Sequence, residues 1–209
     1  AHTRLWNELW QGDILIEGDD EAQRAVRFAL FNLYSSCREG NGLSISPMGL
    51  SSQDYNGHIF WDTEIWMFPP ILLFNQGLAE SMMNYRIDRL PAARQKAMSY
   101  GYRGAMYPWE SDDAGEEATP TTALTGPFEH HITADIGIAC WNYYCVTRDK
   151  EWLKNKGYPL LKAVADFWSS RATCNDDGTW SINNVVGANE YKHGATDNAF
   201  TNASAKLAL

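Results

Sequence analysis

The clearest periodicity lies near the start of the chain, where Ala22, Ala25, Val26, Ala29, Leu30 and Leu33 recur at i, i+3, i+4 and i+7. Apolar residues at that spacing share one helical face. Asp20 with Gln23 has the form of a capping box, so a helix is predicted over residues 20–36. A loop follows through Gly40, Gly42, Gly49 and Gly57, with Pro47 and several serines. It runs into Ile59-Phe60-Trp61-Asp62-Thr63-Glu64-Ile65-Trp66, an aromatic run expected to open a second helix. Helical spacing returns over residues 77–89, and Pro91 suits the first turn of another helix reaching residue 100. Residues 103–128 have no period. They read as a long loop with Pro108, Pro120, Pro127 and the acidic cluster Asp112, Asp113, Glu116 and Glu117, and loops of that length tend to be functional.

Regular spacing resumes at Ile132, Ile136, Ala139, Cys140 and Tyr143, which form one helical stripe. Residues 149–156 form a helical piece that Gly157 is expected to stop, and Pro159 begins a helix with Leu160, Leu161, Val164, Ala165 and Trp168 on one face. Asn175-Asp176-Asp177-Gly178 is a turn signal, with residues 179–182 as a short hairpin strand. Residues 202–209 read as the start of a helix that no glycine or proline ends, which predicts a chain cut inside an element. The pattern is that of stacked helical hairpins with one set of loops built into a site.

Composition narrows the function. Aromatic residues make up 13% of the 209 positions and charged residues 21%, ample for a core and too apolar for a disordered chain. The length fits one or two domains, and one continuous unit is the simpler reading. With 17 basic against 26 acidic residues the net charge is −9, the wrong sign for nucleic-acid phosphates or anionic lipid. No nucleic-acid or membrane partner is expected, and a neutral or cationic ligand fits better. The longest apolar stretch, residues 65–74, is too short to span a bilayer and contains Pro69 and Pro70. No charged segment followed by an apolar one opens the chain, which leaves a cytosolic protein or one whose targeting segment lies outside these residues. Cys37, Cys140, Cys145 and Cys174 form no CxxC pair and read as buried free thiols.

The chain contains no Walker loop, GxGxxG, GxSxG or HExxH, which removes support for nucleotide and zinc-peptidase readings. Of the histidines, only the adjacent His130 and His131 look like metal ligands. Helical neighbours point about 100° apart, so the pair reads as a helix-start feature and no metal or cofactor is expected. Two segments combine carboxylates with aromatics, as sugar sites do, because a pyranose offers an apolar face for stacking and hydroxyls for hydrogen bonds. In the first, Trp61-Asp62-Thr63-Glu64 with Trp66, the bland alternative is a helix start capped by Asp62 or Thr63. In the second, Glu190 lies among Asn189, Tyr191, Asp197 and Asn198, a setting for either a solvated loop carboxylate or a networked proton donor.

Four segments in one order carry a family likeness. They are Gly57-His58-Ile59-Phe60-Trp61-Asp62-Thr63-Glu64, Arg103-Gly104-Ala105-Met106-Tyr107-Pro108-Trp109-Glu110, His131-Ile132-Thr133-Ala134-Asp135-Ile136, and Asn189-Glu190-Tyr191 through Asp197-Asn198-Ala199-Phe200-Thr201-Asn202. Together they resemble glycoside hydrolase family 65, which includes maltose, trehalose and kojibiose phosphorylases, acid trehalase, kojibiose hydrolase and the glucosidase for collagen glucosylgalactosyl-hydroxylysine. The resemblance implies an all-α, (α/α)6-barrel fold of the six-hairpin glycosidase kind and an inverting reaction at an α-glucoside. It implies Glu190 as the general acid and Trp61 and Asp62 as residues that hold the non-reducing glucose. It places Trp109 and Glu110 in a loop bordering the same pocket. A donor that works near neutral pH needs burial or a neighbouring carboxylate such as Asp62 to hold its proton.

Two departures shape the expectation. Many members carry Gly-Pro-Asp-Glu-Tyr before the acid, whereas Gly187-Ala188-Asn189-Glu190-Tyr191 here looks closer to the hydrolases. The catalytic base of the hydrolases, or the phosphate loop of the phosphorylases, belongs to the C-terminal part of the barrel, and no equivalent precedes Leu209. Residues 1–209 are thus expected to form the first part of a catalytic barrel, without the N-terminal β-domain and the C-terminal part. The expected activity is removal of terminal glucose from an α-1,2-linked disaccharide of the kojibiose or glucosylgalactose type. The alternatives are a phosphorylase using inorganic phosphate and an inactive, sugar-binding chain. Apolar faces left open by missing helices are expected to find a second copy or another chain that completes the barrel.

Overall fold

The computed structural model describes residues 1–10 and 12–209. Helix α1 (His2–Leu9) precedes α2 (Asp20–Ser36). The apolar pattern did not predict α1, which is held from outside: the Asn75 side-chain amide donates to the Leu9 carbonyl at 3.2 Å. The cap of α2 is Asp19, not the predicted Asp20, because its carboxylate accepts the amides of Glu21 and Ala22. Gln23 does not close a capping box. It bonds the backbone of Ile14 and Ile16 and ties the incoming chain onto the helix. Only Leu30 and Tyr34 of α2 are fully buried, so its core contact lies in its last turns.

The aromatic run does open a helix. A π-helical turn at Thr63–Met67 leads into α3 (Phe68–Phe74), and Pro69 and Pro70 follow directly where the π-helical turn gives way to the α-helix. Asn75 caps α4 (Gln76–Asp88), and α5 is Leu90–Ser99. The segment read as a long loop is one, and backbone bridges pin it. Isolated bridges join Ile59 to Ser111 and Ser111 to Glu117, and the short α6 (Thr125–Phe128) closes the segment. The backbone of Gly104, Ala105 and Met106 threads between α5 and α9 (Tyr158–Arg171), with Ala105 N–H on the Ala163 carbonyl and Met106 N–H on that of Ala93.

Helix α7 (His131–Thr147) is the centre of the molecule and packs against α3, α4, α9 and α10 (Ala199–Ala208). The predicted stripe understates it, since Thr133, Ala134, Asp135 and Gly137 are buried as well. Gly157 does not stop the next helix. Helix α8 (Lys150–Trp152) passes through a π-helical turn, Leu153–Gly157, straight into α9, and Gly157 itself has helical φ −68° and ψ −46°. Glycine is needed there for space: a Cβ would stand 2.7 Å from the Trp152 ring. Strands β1 (Thr173–Cys174) and β2 (Trp180–Ser181) pair antiparallel around the predicted turn. Helix α10 begins at Ala199 rather than at Asn202, because the Asn198 side chain accepts the Thr201 amide.

The thiols divide against expectation. Cys37 and Cys140 are buried, Cys145 is half-buried and Cys174 is exposed. Among the described residues no helix is long and apolar enough to cross a membrane. Trp141, Tyr158, Trp180, Leu207 and Leu209 are exposed along α7, α9, β2 and α10, and two grooves of about 520 Å³ each run through this apolar surface.

Gly104 explains part of one motif by packing alone. Its φ is +72°, and a Cβ would meet the Ala163 carbonyl oxygen at 2.1 Å and the Phe167 nitrogen at 2.4 Å, both backbone atoms that cannot yield. Gly104→Ala is therefore expected to lower the unfolding free energy by about 3 kcal/mol or more, read from urea denaturation midpoints at constant m-value.

Candidate active site

Trp61 and Asp62 stand where the chain enters the Thr63–Met67 turn. Neither capping alternative holds. Asp62 makes no side-chain cap bond, and the Thr63 hydroxyl instead donates to the Ile45 carbonyl at 2.7 Å. Asp62 is half-buried, and burial raises its carboxyl above the ordinary value with no partner side chain among the described residues to offset this. Beneath it, the buried Glu64 carboxylate takes two bonds from Arg86, at 2.8 and 3.0 Å, and Arg86 also reaches the Phe60 carbonyl at 3.2 Å. This bidentate pair locks both sides of the Trp61-Asp62 step, and removing one charge would strand the other in the core.

The Trp109-Glu110 segment reaches the same region through the Ile59–Ser111 bridge. The Trp109 ring packs edge-on against Phe60 at 4.9 Å, and its indole N–H is buried without a partner among the described residues. Glu110 is buried, with its carboxylate on His58 Nδ1 at 2.7 Å. The organiser of this loop is Glu117. Its carboxylate accepts the Trp109 and Glu110 amides at 3.1 Å each, the Thr119 hydroxyl, and Lys96. A residue named from sequence only as one of the acidic cluster of a long loop is thus a structural anchor.

Glu190 sits in a loop closed by two bonds between Val185 and Ala195, each 2.9 Å. Val186 N–H bonds the Phe128 carbonyl at 3.0 Å, which lays the start of this loop beside Glu129. Gly187 lets the loop press onto α10, since a Cβ would lie 2.4 Å from the Asn198 side chain. Glu190 is partly buried, and its charge acts on Glu129.

Between these segments lies a cluster that joins His131 and Asp135, which one of the four sequence segments contains, to Glu129, which the sequence did not single out. His131, the first residue of α7, donates Nε2–H to Glu129 at 2.8 Å and Nδ1–H to Asp135 at 2.7 Å, and none of the three side chains reaches solvent. Burial alone would push the imidazole down, but the bonds to Asp135 and Glu129 outweigh it and hold it up at about 9. Burial pushes Glu129 up to about 7, with His131 opposing and Glu190 reinforcing. The spacing of His131 and Asp135, i and i+4 on a helix, was the signal that could have found this pair. His130 behaves differently. It accepts from Arg171 at Nδ1 and donates from Nε2 to Pro127, and burial pushes it down to about 3, so it is neutral. The Trp61 ring meets His131 edge-on at 4.8 Å, and Phe200 meets it at 4.8 Å from α10.

Trp61, Asp62 and Glu190 thus lie around the Glu64–Arg86 pair and the His131 cluster, while Trp109 and Glu110 are tied to Phe60, His58 and Glu117. The two large apolar grooves carry no acidic side chain, so they lack the carboxyl pair of a glycoside-hydrolysing site. A family model, the glycosyl hydrolase family 65 central catalytic domain, matches residues 27–209. The chain belongs to glycosyl hydrolase family 65. Within that family, the kojibiose hydrolase of Flavobacterium johnsoniae is 58% identical over 98% of this chain and 30% of its own length. The protein-glucosylgalactosylhydroxylysine glucosidase of Dictyostelium discoideum is 44% identical over 99% of this chain and 30% of its own length. A solved structure named "Putative kojibiose phosphorylase from human microbiome" matches with a TM-score of 0.89 at 28% identity, covering 98% of this chain and 30% of that one. The family 65 chain described here therefore spans about 30% of the length of these relatives. Its all-α fold is that of part of an (α/α)6 barrel.

The buried histidine makes stability depend on pH. Its folded value, about 9, lies above the ordinary value of about 6.5, so its contribution is complete below about pH 6.5 and is lost as pH rises through about 9. Unfolding free energy from urea titrations is expected to fall by on the order of 3 kcal/mol across that window. His131→Asn should flatten the slope.

Proposed function

We propose that these residues form the acid side of the active site of an inverting, exo-acting α-glucoside hydrolase that removes a terminal glucose, from an α-1,2-linked disaccharide of the kojibiose or glucosylgalactose type. The observation that carries this reading is Asp62: a half-buried carboxylate that caps nothing and pairs with no side chain, beside an aromatic ring fixed from behind by His131. Trp61 offers the apolar sugar face a platform and Asp62 accepts from its hydroxyls. Trp109, with its free indole N–H, and Glu110 border the same pocket.

Glu190 donates its proton to the glycosidic oxygen as the bond to the anomeric carbon breaks, so the aglycone leaves as an alcohol. Water attacks the opposite face, activated by a carboxylate base roughly 6.5–9.5 Å from the acid, and the anomeric configuration inverts. That base is supplied by chain beyond these 209 residues, and the stretch described here is the first part of the barrel. The exposed apolar faces of α7, α9 and α10 are then where the rest of the barrel, or a second chain, packs. The Ala188-Asn189 pair before Glu190 and the identity to kojibiose hydrolase favour water as the acceptor. The structural likeness to a protein named as a phosphorylase keeps inorganic phosphate as the second reading.

In the full-length protein, Glu190→Gln is expected to lower turnover of kojibiose by on the order of 10²–10⁴-fold while leaving KM within a few-fold. A variant that kept most of its turnover would sink the assignment. Products separate the two enzyme readings: glucose formed without phosphate marks hydrolysis, and glucose 1-phosphate formed only with phosphate marks phosphorolysis. The 209-residue chain alone is expected to show no turnover.

A further inference from the structure

The reading of Trp61, Asp62 and Glu190 leaves one buried cluster without a role. Glu129 is 1% exposed and gives one carboxylate oxygen to His131 at 2.8 Å. Its other oxygen, Oε2, is buried and has no partner among the described residues. A carboxylate serving only as a structural anchor would be expected to satisfy both oxygens, because a buried acceptor left without a donor costs free energy. Such costs are tolerated where function holds them in place.

The surroundings of Glu129 connect two parts of the proposed site. It directly follows α6, and the carbonyl of its neighbour Phe128 holds Val186, where the Glu190 loop begins. On the other side, His131, Trp61 and Phe200 form a triangle of rings, with the imidazole nearly perpendicular to the other two at 81° and 79°. Trp61 and Phe200 also touch each other, with ring centroids 5.8 Å apart. An imidazole anchored at both nitrogens cannot rotate, so its ring plane, and with it the plane of Trp61, is fixed by Glu129 and Asp135.

We propose that Glu129, acting through His131 packed edge-on with Trp61 and Phe200, is a positioning residue that holds the Trp61 platform and the Glu190 loop in one fixed relation. A sugar stacked on Trp61 then stays within reach of the proton donor, and a displacement of even about 1 Å between the two would cost rate. The inference rests on the proposed reading of Trp61 and Glu190. The charged groups around it are known from every side: Glu129 faces His131, Asp135 and Glu190, His131 also faces His130, and Asp135 faces Arg86, the partner of Glu64.

The test uses full-length protein with kojibiose as substrate, comparing wild type with Glu129→Gln, which keeps the shape and removes the charge. The expected result is a kcat about tenfold lower or more, with KM changed less, as for other outer-shell substitutions. The pH profile of kcat/KM should also change, because an amide cannot titrate. Unchanged kcat, KM and pH profile in a folded Glu129→Gln would overturn the inference. If that variant fails to fold by near-ultraviolet circular dichroism, Phe200→Leu decides the matter, since it removes one of the ring contacts that place His131 and Trp61, at a partly exposed position. Reduced kcat at an unchanged melting temperature supports the inference, and wild-type kinetics overturn it. A wild-type protein that turns over no kojibiose, with or without phosphate, would overturn the site reading and this inference with it, and is distinguished by failing before any variant is compared.

Discussion

Glu64, Arg86, Asp135, His131 and Glu129 bring five ionisable groups into the middle of an apolar helical layer, each almost completely shielded from water. Burying a charge is tolerable only when an opposite charge lies at hydrogen-bond distance, and the arrangement meets that demand in sequence along the fold. Arg86 answers Glu64, and His131 answers both Asp135 and Glu129. Glu64 and Arg86 come from different elements, as do Glu129 and His131, so satisfying these charges fixes the elements relative to one another, while Asp135 holds His131 from within α7. The start of the Thr63–Met67 turn, helix α4, the first turns of α7 and the end of α6 are held in this way.

Three of the candidate site residues hang from that framework. Trp61 lies against His131, Asp62 precedes the turn locked by Glu64 and Arg86, and the Glu190 loop is laid beside Glu129 by the Val186 to Phe128 bond. A second, smaller anchor does the same for the remaining pair: Glu117, neutralised by Lys96, collects the amides of Trp109 and Glu110 and sets the loop that displays them. The result is a site whose exposed chemistry is carried on turns and loops while the groups that orient it are out of reach of solvent, the combination expected where geometry governs rate.

What was legible in the sequence was the local part. Periodicity gave α2 its bounds and marked α7 and α9, and the turn before β2 was plain from its Asn-Asp-Asp-Gly. Where local signals failed, a tertiary contact had overridden them. Gly157 has the form of a helix stop, yet the Trp152 ring needs its missing Cβ, and the helix runs on. Asp20 and Gln23 have the form of a capping box, yet Gln23 is engaged by the backbone of Ile14 and Ile16. Glu117 could not be told from its acidic neighbours because nothing local shows that Lys96 and two amides converge on it.

The sequence by itself determined the helical class, the order of the four motifs and, through their resemblance, the family and the residues to watch, because these follow from spacing along one chain. It could not show that Asp62 is a free carboxylate rather than a cap, that Glu110 is bound to His58, or that Glu129, His131 and Asp135 form one buried array. Those are properties of distance and desolvation between segments far apart in sequence, and they exist only once the helices have packed.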